Sequence, residues 1–475
     1  MAELLFFLYL LSVIGGIVIV LGEERSAVSS IPWLLVVTFL PVVGLLLYII
    51  FGYSLRRKQL IDVEVRRSLS DAPVETQSLS STEVEEVEEV TDRKLTSLSA
   101  LIERLTDTPL TTANELTHYD DSHEWLAACR EAIAQAQHYI YIELYRIEEG
   151  PWLDALLDLL AERIQEGVAL YWLYDDVGSR SLSRRYRKRM EQLGGEVAAF
   201  LPVRFRLLTS RVNYRNHRNL VVVDGAVGFT GGNVLLSELS RMPDAVLPLA
   251  TSHLRMTGEA VRQVEYSFAL DWYVATQQLL SPQQFSPTIA PQEWIAEPIK
   301  VQTFPTHPTD DFPSLEMILT HAFLQARRSL YIESPVLIPT SSIQQALIST
   351  ALSGVQVRII LPRRGRSWLA PKASHAFFTD LLRAGVEIYY YEGLREATYA
   401  IIDEGCAVTG TPYLDFRSFE YNFDLTTVIY SEEVAQQFVK RYEETLALCH
   451  QVTPRQNKLW RRIAHGVMRL LTPLL

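Results

Sequence analysis

One short stretch holds the residue types that chemistry at phosphorus needs. Arg215-Asn216-His217-Arg218-Asn219-Leu220-Val221-Val222-Val223-Asp224 sets an imidazole in front of a β-rich run that ends in a carboxylate. A neutral imidazole can attack a phosphorus centre and leave again near neutral pH. The phosphate oxygens then need cations or N–H donors around them, and Arg215 and Arg218 flank the histidine in sequence. On this reading His217 is a candidate nucleophile and Asp224 the carboxylate that orients it. A lone histidine is often a hydrogen-bonded structural residue instead, and this stretch alone leaves both readings open.

The elements that must carry His217 come from an internal repeat. Ala136 to Glu143 (AQHYIYIE) matches Ala326 to Glu333 (ARRSLYIE), each a helix end running into a strand. Glu166 to Tyr171 (EGVALY) matches Ser353 to Arg358 (SGVQVR), where a helix is expected to stop at Gly167 or Gly354 before a strand begins. Val221-Val222-Val223-Asp224 matches Ala400-Ile401-Ile402-Asp403, and Thr230-Gly231 and Thr409-Gly410 come after them at the same spacing. Helical patterns over Leu153 to Glu166, Ser341 to Leu352 and Ala373 to Ala384 alternate with the strands. The pattern predicts an α/β fold of two copies of one unit, packed about a pseudo-twofold axis with a shared site between them.

The chain has 475 residues, 48% of them hydrophobic and 21% charged, which excludes a mainly disordered protein. A net charge of −12 argues against a general nucleic-acid binder. Three cysteines (129, 406, 449), far apart, fit neither a disulfide framework nor a zinc site and suit a reducing compartment. Two uncharged runs open the chain, Leu4 to Leu21 and Ser26 to Leu55, and a helix needs roughly 20 apolar residues to cross a bilayer. They predict a transmembrane helical hairpin over residues 1–55. Arg56, Arg57, Lys58, Arg66 and Arg67 place the chain from residue 56 onward in the cytoplasm. Residues 56–95 read as a basic, then acidic linker, with seven acids between 74 and 92. Residues 451–475 carry Arg455, Lys458, Arg461, Arg462 and Arg469 and no acid, and read as a basic amphipathic tail lying on anionic lipid. A terminal helix packed on its own domain is the alternative.

Taken with these motifs, the sequence resembles the bacterial cardiolipin synthases of the phospholipase D superfamily over nearly its whole length. The likeness runs through Trp33 to Gly52, Glu166 to Ser179, Arg215 to Gly232, His253 to Gly258, Leu270-Asp271-Trp272, Ser334 to Pro339 and Leu414 to Phe419 with Asn422-Phe423. The resemblance implies two phospholipase D-like repeats, at 96–276 (motif 215–233) and 298–450 (degenerate motif 394–419), joined by a linker at 277–297. It implies paired H-x-K-x4-D motifs, in which one histidine forms a phosphohistidine and the other shuttles the proton. The family reaction joins two phosphatidylglycerols into cardiolipin, releases glycerol and uses no cofactor or metal. Phosphatidylglycerol, cardiolipin and the membrane are the implied partners, with no nucleic acid and no protein partner identified. The implied setting is the bacterial plasma membrane, multi-pass, with the repeats cytoplasmic.

Here the chain departs from that pattern. His217 and Asp224 remain, but the first lysine position holds Asn219, and the asparagine expected at position 234 is displaced to Asn233. In the second motif Glu396 stands at the histidine position, Thr398 at the lysine position and Tyr413 at the asparagine position, while Asp403 remains. Carried over, the catalytic set is His217, Asp224, Glu396 and Asp403, and the phosphate-binding set is Arg215, Arg218, Asn219, Asn233 and Thr398. Losing one proton-transfer group typically removes a factor of about 10² to 10⁴ in rate. The expectation is a membrane-anchored phosphatidyltransferase of phosphatidylglycerol with weak or lost two-histidine activity. The alternative is a non-catalytic phospholipid-binding or regulatory pseudoenzyme. Glu396 as a replacement acid, His253 as a substitute base and a dimer that brings two His217 residues together are subsidiary expectations.

Overall fold

The computed structural model describes residues 2–22, 27–48, 90–203, 212–232, 250–280, 298–364 and 369–453, with single positions at 65, 69, 463, 466, 468 and 469. Asn233, position 234, nearly all of the 56–95 linker and most of the C-terminal tail lie outside the described residues.

The first half carries β1 (Asn114–Asp121), β2 (Tyr139–Leu144), β3 (Ala169–Asp175), β4 (Glu196–Phe200), β5 (Arg215–Asn216), β6 (Asn219–Val223), β7 (Val227–Gly231) and β8 (Ala250–Gly258). The second carries β9 (Lys300–Thr306), β10 (Ser329–Glu333), β11 (Leu337–Ile338), β12 (Gln356–Pro362), β13 (Glu387–Tyr391), β14 (Tyr399–Ile402), β15 (Cys406–Gly410), β16 (Leu414–Asp415), β17 (Asn422–Tyr430) and β18 (Cys449–Gln451). The first sheet runs β1-β8-β7-β6-β2-β3-β4; the second runs β9-β17-β15-β14-β10-β12-β13, the same order of equivalent strands. β2 and β10 lie inside these sheets, parallel to β3 and β12 on one side and antiparallel to β6 and β14 on the other. Every residue of YIYIEL and SLYIE is buried, as strands covered on both faces require.

The expected helices form at Pro151–Gln165, Ser341–Leu352 and Ala370–Arg383. Gly167 (φ +97°) and Gly354 (φ +91°) end two of them in the left-handed region that a Cβ disfavours. A central core lies between the sheets. Tyr141, Phe268 and Trp272 from the first half meet Tyr331, Phe423, Leu425 and Phe438 from the second, with the helices Ala260–Thr276 and Glu432–Leu446 in the same layer. The outer faces are closed by two further cores, and Leu98 and Ile102 of the helix Val90–Thr106 belong to the one on the second sheet.

One strand crosses between the halves. β5, directly before His217, adds in parallel to the edge of β17, pairing Arg215 with Asn422 and Asn216 with Phe423.

At the N-terminus, Ala2–Leu21, Ala27–Phe39 and Pro41–Leu47 form a helical hairpin. A Cβ on Gly16 would collide with Val37 Cγ1, so glycine allows the close crossing there. Trp33 and Tyr48 meet edge to face at 5.2 Å. The second of the two expected spans is interrupted: the helix stops at Phe39 and restarts at Pro41, which has no N–H to continue it. Among the described residues no helix is long and apolar enough to cross a membrane. In the tail, the Arg469 guanidinium donates to Ala376 O at 2.7 Å and pairs with Asp380 at 2.9 Å, so this tail residue packs on its own domain.

Candidate active site at the seam between the repeats

His217 stands where β5 leaves the second sheet and β6 enters the first. Its backbone N–H donates to Phe423 O at 2.9 Å, and Asn422 Nδ2 lies 3.2 Å from its Nδ1. The ring packs on Tyr145 (4.1 Å between centroids) and meets Tyr413 at 6.2 Å. Glu396 is on the same seam: a Cβ on Gly232 of the first repeat would sit 3.3 Å from Glu396 O. The Tyr413 hydroxyl donates to Glu396 Oε2 at 2.7 Å, so the phenol bridges the two motif positions.

Burial pushes the His217 imidazole down to about 3, helped by the positive charges of Arg417 and Arg215. The ring is therefore neutral at physiological pH. An amide, unlike a carboxylate, meets either tautomer: Nδ2 donates to a bare Nδ1, and Oδ1 accepts from an Nδ1–H. With the proton on Nε2 the ring offers an N–H to a phosphate oxygen; with the proton on Nδ1 it offers a lone pair to phosphorus. A carboxylate at Nδ1 would hold the Nδ1–H tautomer, but the neighbour here is an amide. The Asn422 Oδ1 is buried with no hydrogen-bond partner among the described residues.

The geometry corrects the roles expected of both aspartates. Asp224 accepts N–H bonds from Gln137, His138 and Tyr139 at 2.7 to 2.8 Å, and Asp403 accepts them from Arg327, Arg328 and Ser329 at 2.6 to 3.1 Å. Each sits in a left-handed turn (φ +52° and +51°) at the end of its strand remote from the seam. They fasten the openings of β2 and β10; neither orients a catalytic imidazole.

The three first-motif residues expected to hold phosphate are also occupied elsewhere. Arg215 Nη1 grips both oxygens of Asp175 at 3.1 and 3.2 Å, buried. Arg218 is fully buried, ion-paired to Asp271, and donates to Asp424 O and Thr306 O at 3.1 Å each. A solvated phosphate cannot displace such partners without leaving a buried charge unpaired. The Asn219 amide accepts from Tyr145 N at 3.1 Å and donates to His217 O and Gly232 O at 3.3 Å, so it braces backbone. Thr398 is buried in the second repeat, its hydroxyl without a partner among the described residues, while its carbonyl accepts from Thr409. His253 is stacked on Trp125 at 4.5 Å and buried in the first repeat with Ser122, a structural placement.

Two further residues border the site. Arg417 is half-buried, donates to Asn213 O at 2.8 Å, lies 5.9 Å from the Tyr421 ring centroid and bears electrostatically on His217. Its hydrogen-bond partner is a carbonyl, and its charge bears on the Asp415 carboxyl as well as on the ring. Asp424, two residues from Asn422 on β17, accepts from Thr411 at 2.6 Å, and burial raises it to about 7. Arg417 stood in the matched segment 414–419 and was legible there; Tyr145 and Asp424 carried no spacing signal. Among the described residues no group of three or more His, Cys, Asp or Glu is placed to hold a metal ion.

Comparison with known proteins agrees with this architecture. Residues 319–446 match the family described as cardiolipin synthase, PLD-like domain, and residues 5–52 match phospholipase D-nuclease N-terminal. The chain is 30% identical over 479 residues to the major cardiolipin synthase ClsA of Bacillus subtilis, covering 99% of both. It is 31% identical to cardiolipin synthase 1 of Bacillus anthracis, covering 98% of this chain and 93% of that one. The solved phosphatidylserine synthase of Haemophilus influenzae shares the fold, with a TM-score of 0.57 at 11% identity over 80% of this chain and 98% of that one. A two-repeat α/β scaffold with its histidine at the seam, matched end to end by these relatives, places this chain in the cardiolipin synthase family of the phospholipase D superfamily.

Proposed function

We infer that this chain is a membrane-attached protein that holds the phosphate of phosphatidylglycerol or cardiolipin at the repeat seam, with two-histidine phosphatidyl transfer weak or lost. One observation carries the reading: the seam holds a single motif imidazole, His217, whose Nδ1 faces Asn422 and whose opposite position is Glu396 bonded to Tyr413. With its proton on Nε2 the neutral ring donates to a phosphate oxygen, and Arg417 supplies the positive charge. The N-terminal hairpin supports membrane attachment, since Phe7, Val18, Phe39 and Val42 face outward. The bacterial plasma membrane is the setting, with the repeats on the cytoplasmic side.

The test uses a bacterial host lacking its own cardiolipin synthases, with the wild-type chain, His217→Ala and an intact two-histidine relative. Wild type should yield at most about one hundredth of the relative's cardiolipin, while detergent-purified wild type binds phosphatidylglycerol and His217→Ala does not. Cardiolipin at the relative's level, abolished by His217→Ala, would overturn the reading.

A second reading is favoured by the His217–Tyr413–Glu396 chain: slow transfer in which Glu396, protonated, acts as the acid for the leaving alcohol. It requires a phosphohistidine on His217, detectable by acid-labile labelling, and loss of product in Glu396→Gln.

A further inference from the structure

The chain is strongly acidic overall, yet one segment of the first repeat reverses the sign. Between Ser179 and Glu191 the sequence reads SRSLSRRYRKRME, with Arg180, Arg184, Arg185, Arg187, Lys188 and Arg189 and no acid before Glu191. The helix Arg184–Glu191 forms because the Ser183 hydroxyl accepts from Tyr186 N, capping its start. Leu182 and Met190 anchor the segment in the outer core of the first sheet.

The helix sorts its cations by face. Arg187 pairs with Asp176 at 3.5 Å, and Arg189 pairs with Asp154 at 2.5 Å and Asp158 at 2.6 Å. Arg180, Arg184, Arg185 and Lys188 are exposed and none of them is in an ion pair in the described structure. The neighbouring acid Glu149 spends an oxygen on Ser183 N.

The segment starts beside the seam and runs onto the outer face of the first sheet. β3 ends at Asp175, whose oxygens accept from Gly178 N at 2.7 Å and Asn216 N at 3.0 Å, one residue from His217. A Cβ on Gly178 would fall 2.8 Å from the Tyr145 ring, and that ring packs on His217. Two residues beyond Gly178 is Arg180.

We propose that Arg180, Arg184, Arg185 and Lys188 form a docking surface for an anionic phospholipid bilayer, which seats the mouth of the seam against the membrane. The proposal rests on the phospholipid-binding reading of that seam. Charge complementarity is the argument. Cations within a Debye length of an anionic leaflet each contribute roughly fivefold in partitioning, so four acting together amount to about 10²-fold or more. Arg187 and Arg189 on the same helix are neutralised by the protein's own carboxylates, while Arg184, Arg185 and Lys188 fall within an arc of about 100° around it.

The test uses the full chain with Cys449→Ser and Ser181→Cys, labelled at position 181 and reconstituted in vesicles carrying lipid-borne quencher. Expected is strong quenching with phosphatidylglycerol present and weak quenching in phosphatidylcholine alone. The signal is lost at high salt and in Arg180→Glu/Arg184→Glu/Arg185→Glu/Lys188→Glu. If that variant misfolds, Arg184→Gln/Arg185→Gln should give partial loss with an unchanged denaturation midpoint. Equal quenching in both vesicles, or no effect of either variant, overturns the proposal. So does a label that is protected by single-stranded RNA and indifferent to phosphatidylglycerol. His217→Ala should leave the quenching intact; the seam reading is tested separately by headgroup binding, so either can fail alone.

Discussion

The two repeats keep one end of their motif strand identical and let the other diverge. At the remote end, Asp224 and Asp403 accept from three successive backbone N–H groups in matching left-handed turns. At the seam end, Asn216 reaches Glu143 in one half while Arg395 reaches Glu333 in the other, and His217 faces Glu396 through Tyr413. The lesson is that the two ends of one motif are separable. The aspartate end fastens each sheet and is the same in both repeats; the histidine end differs between them without loss of fold.

The strongest way to break this comparison is at the first-repeat residue that holds both halves together. Arg218→Met should cost about 3–5 kcal/mol, because it leaves Asp271 as an uncompensated buried charge; chemical denaturation reads it. The equivalent position in the second half is Ala397, so no such dependence exists there, and a null result would mean that the ion pair does not hold the seam.

Placing the family's motif residues at the divergent positions sharpens the contrast next. Asn219→Lys, Glu396→His, Thr398→Lys and Tyr413→Asn together should raise cardiolipin formation by at least about 10²-fold, near 2.7 kcal/mol of barrier. No gain in lipid extracts, with the protein folded, would show that the scaffold has lost more than its motif side chains.

The shared end should respond alike in both repeats. Asp224→Ala and Asp403→Ala should each cost about 2 kcal/mol, since each leaves N–H groups at a strand opening without their acceptor. A large loss in one repeat and none in the other would refute the equivalence. Asp224→Asn should leave the His217 titration unmoved, since that carboxylate does not touch the ring.

The smallest effect is expected at the imidazole itself. His217 is held near 3, below its ordinary value of 6.5, so the unfolded chain binds the extra proton first. Its contribution to stability is present above about pH 6.5 and is lost as pH falls toward 3. Nitrogen NMR of His217 should show a neutral ring without change from about pH 8 to about pH 5. A step near pH 6.5 would place the ring in water instead.

Much of the fold was legible because repetition and periodicity are local. The matched blocks at 136–143 and 326–333, the glycines at 167 and 354 and the strand ends at Asp224 and Asp403 all mark element boundaries, and the sheets are built from them. The break at Pro41 shows the limit of the same reasoning: an apolar run states that a segment avoids water, but proline decides how many helices it becomes.

What the sequence determined by itself was the pair of repeats and the residues that stand at 219, 396 and 398, an asparagine, a glutamate and a threonine, because residue identity is all those statements require. Tertiary structure decided what the remaining groups do. Arg215 and Arg218 look like phosphate ligands beside a histidine, yet Asp175 and Asp271, distant in sequence, claim them. Asn422 reaches His217 only because β5 crosses to the other repeat's sheet, and Arg417 serves the site from the opposite half. A side chain's chemistry is set by which partner desolvates and pairs with it, and that partner is chosen by folding rather than by spacing.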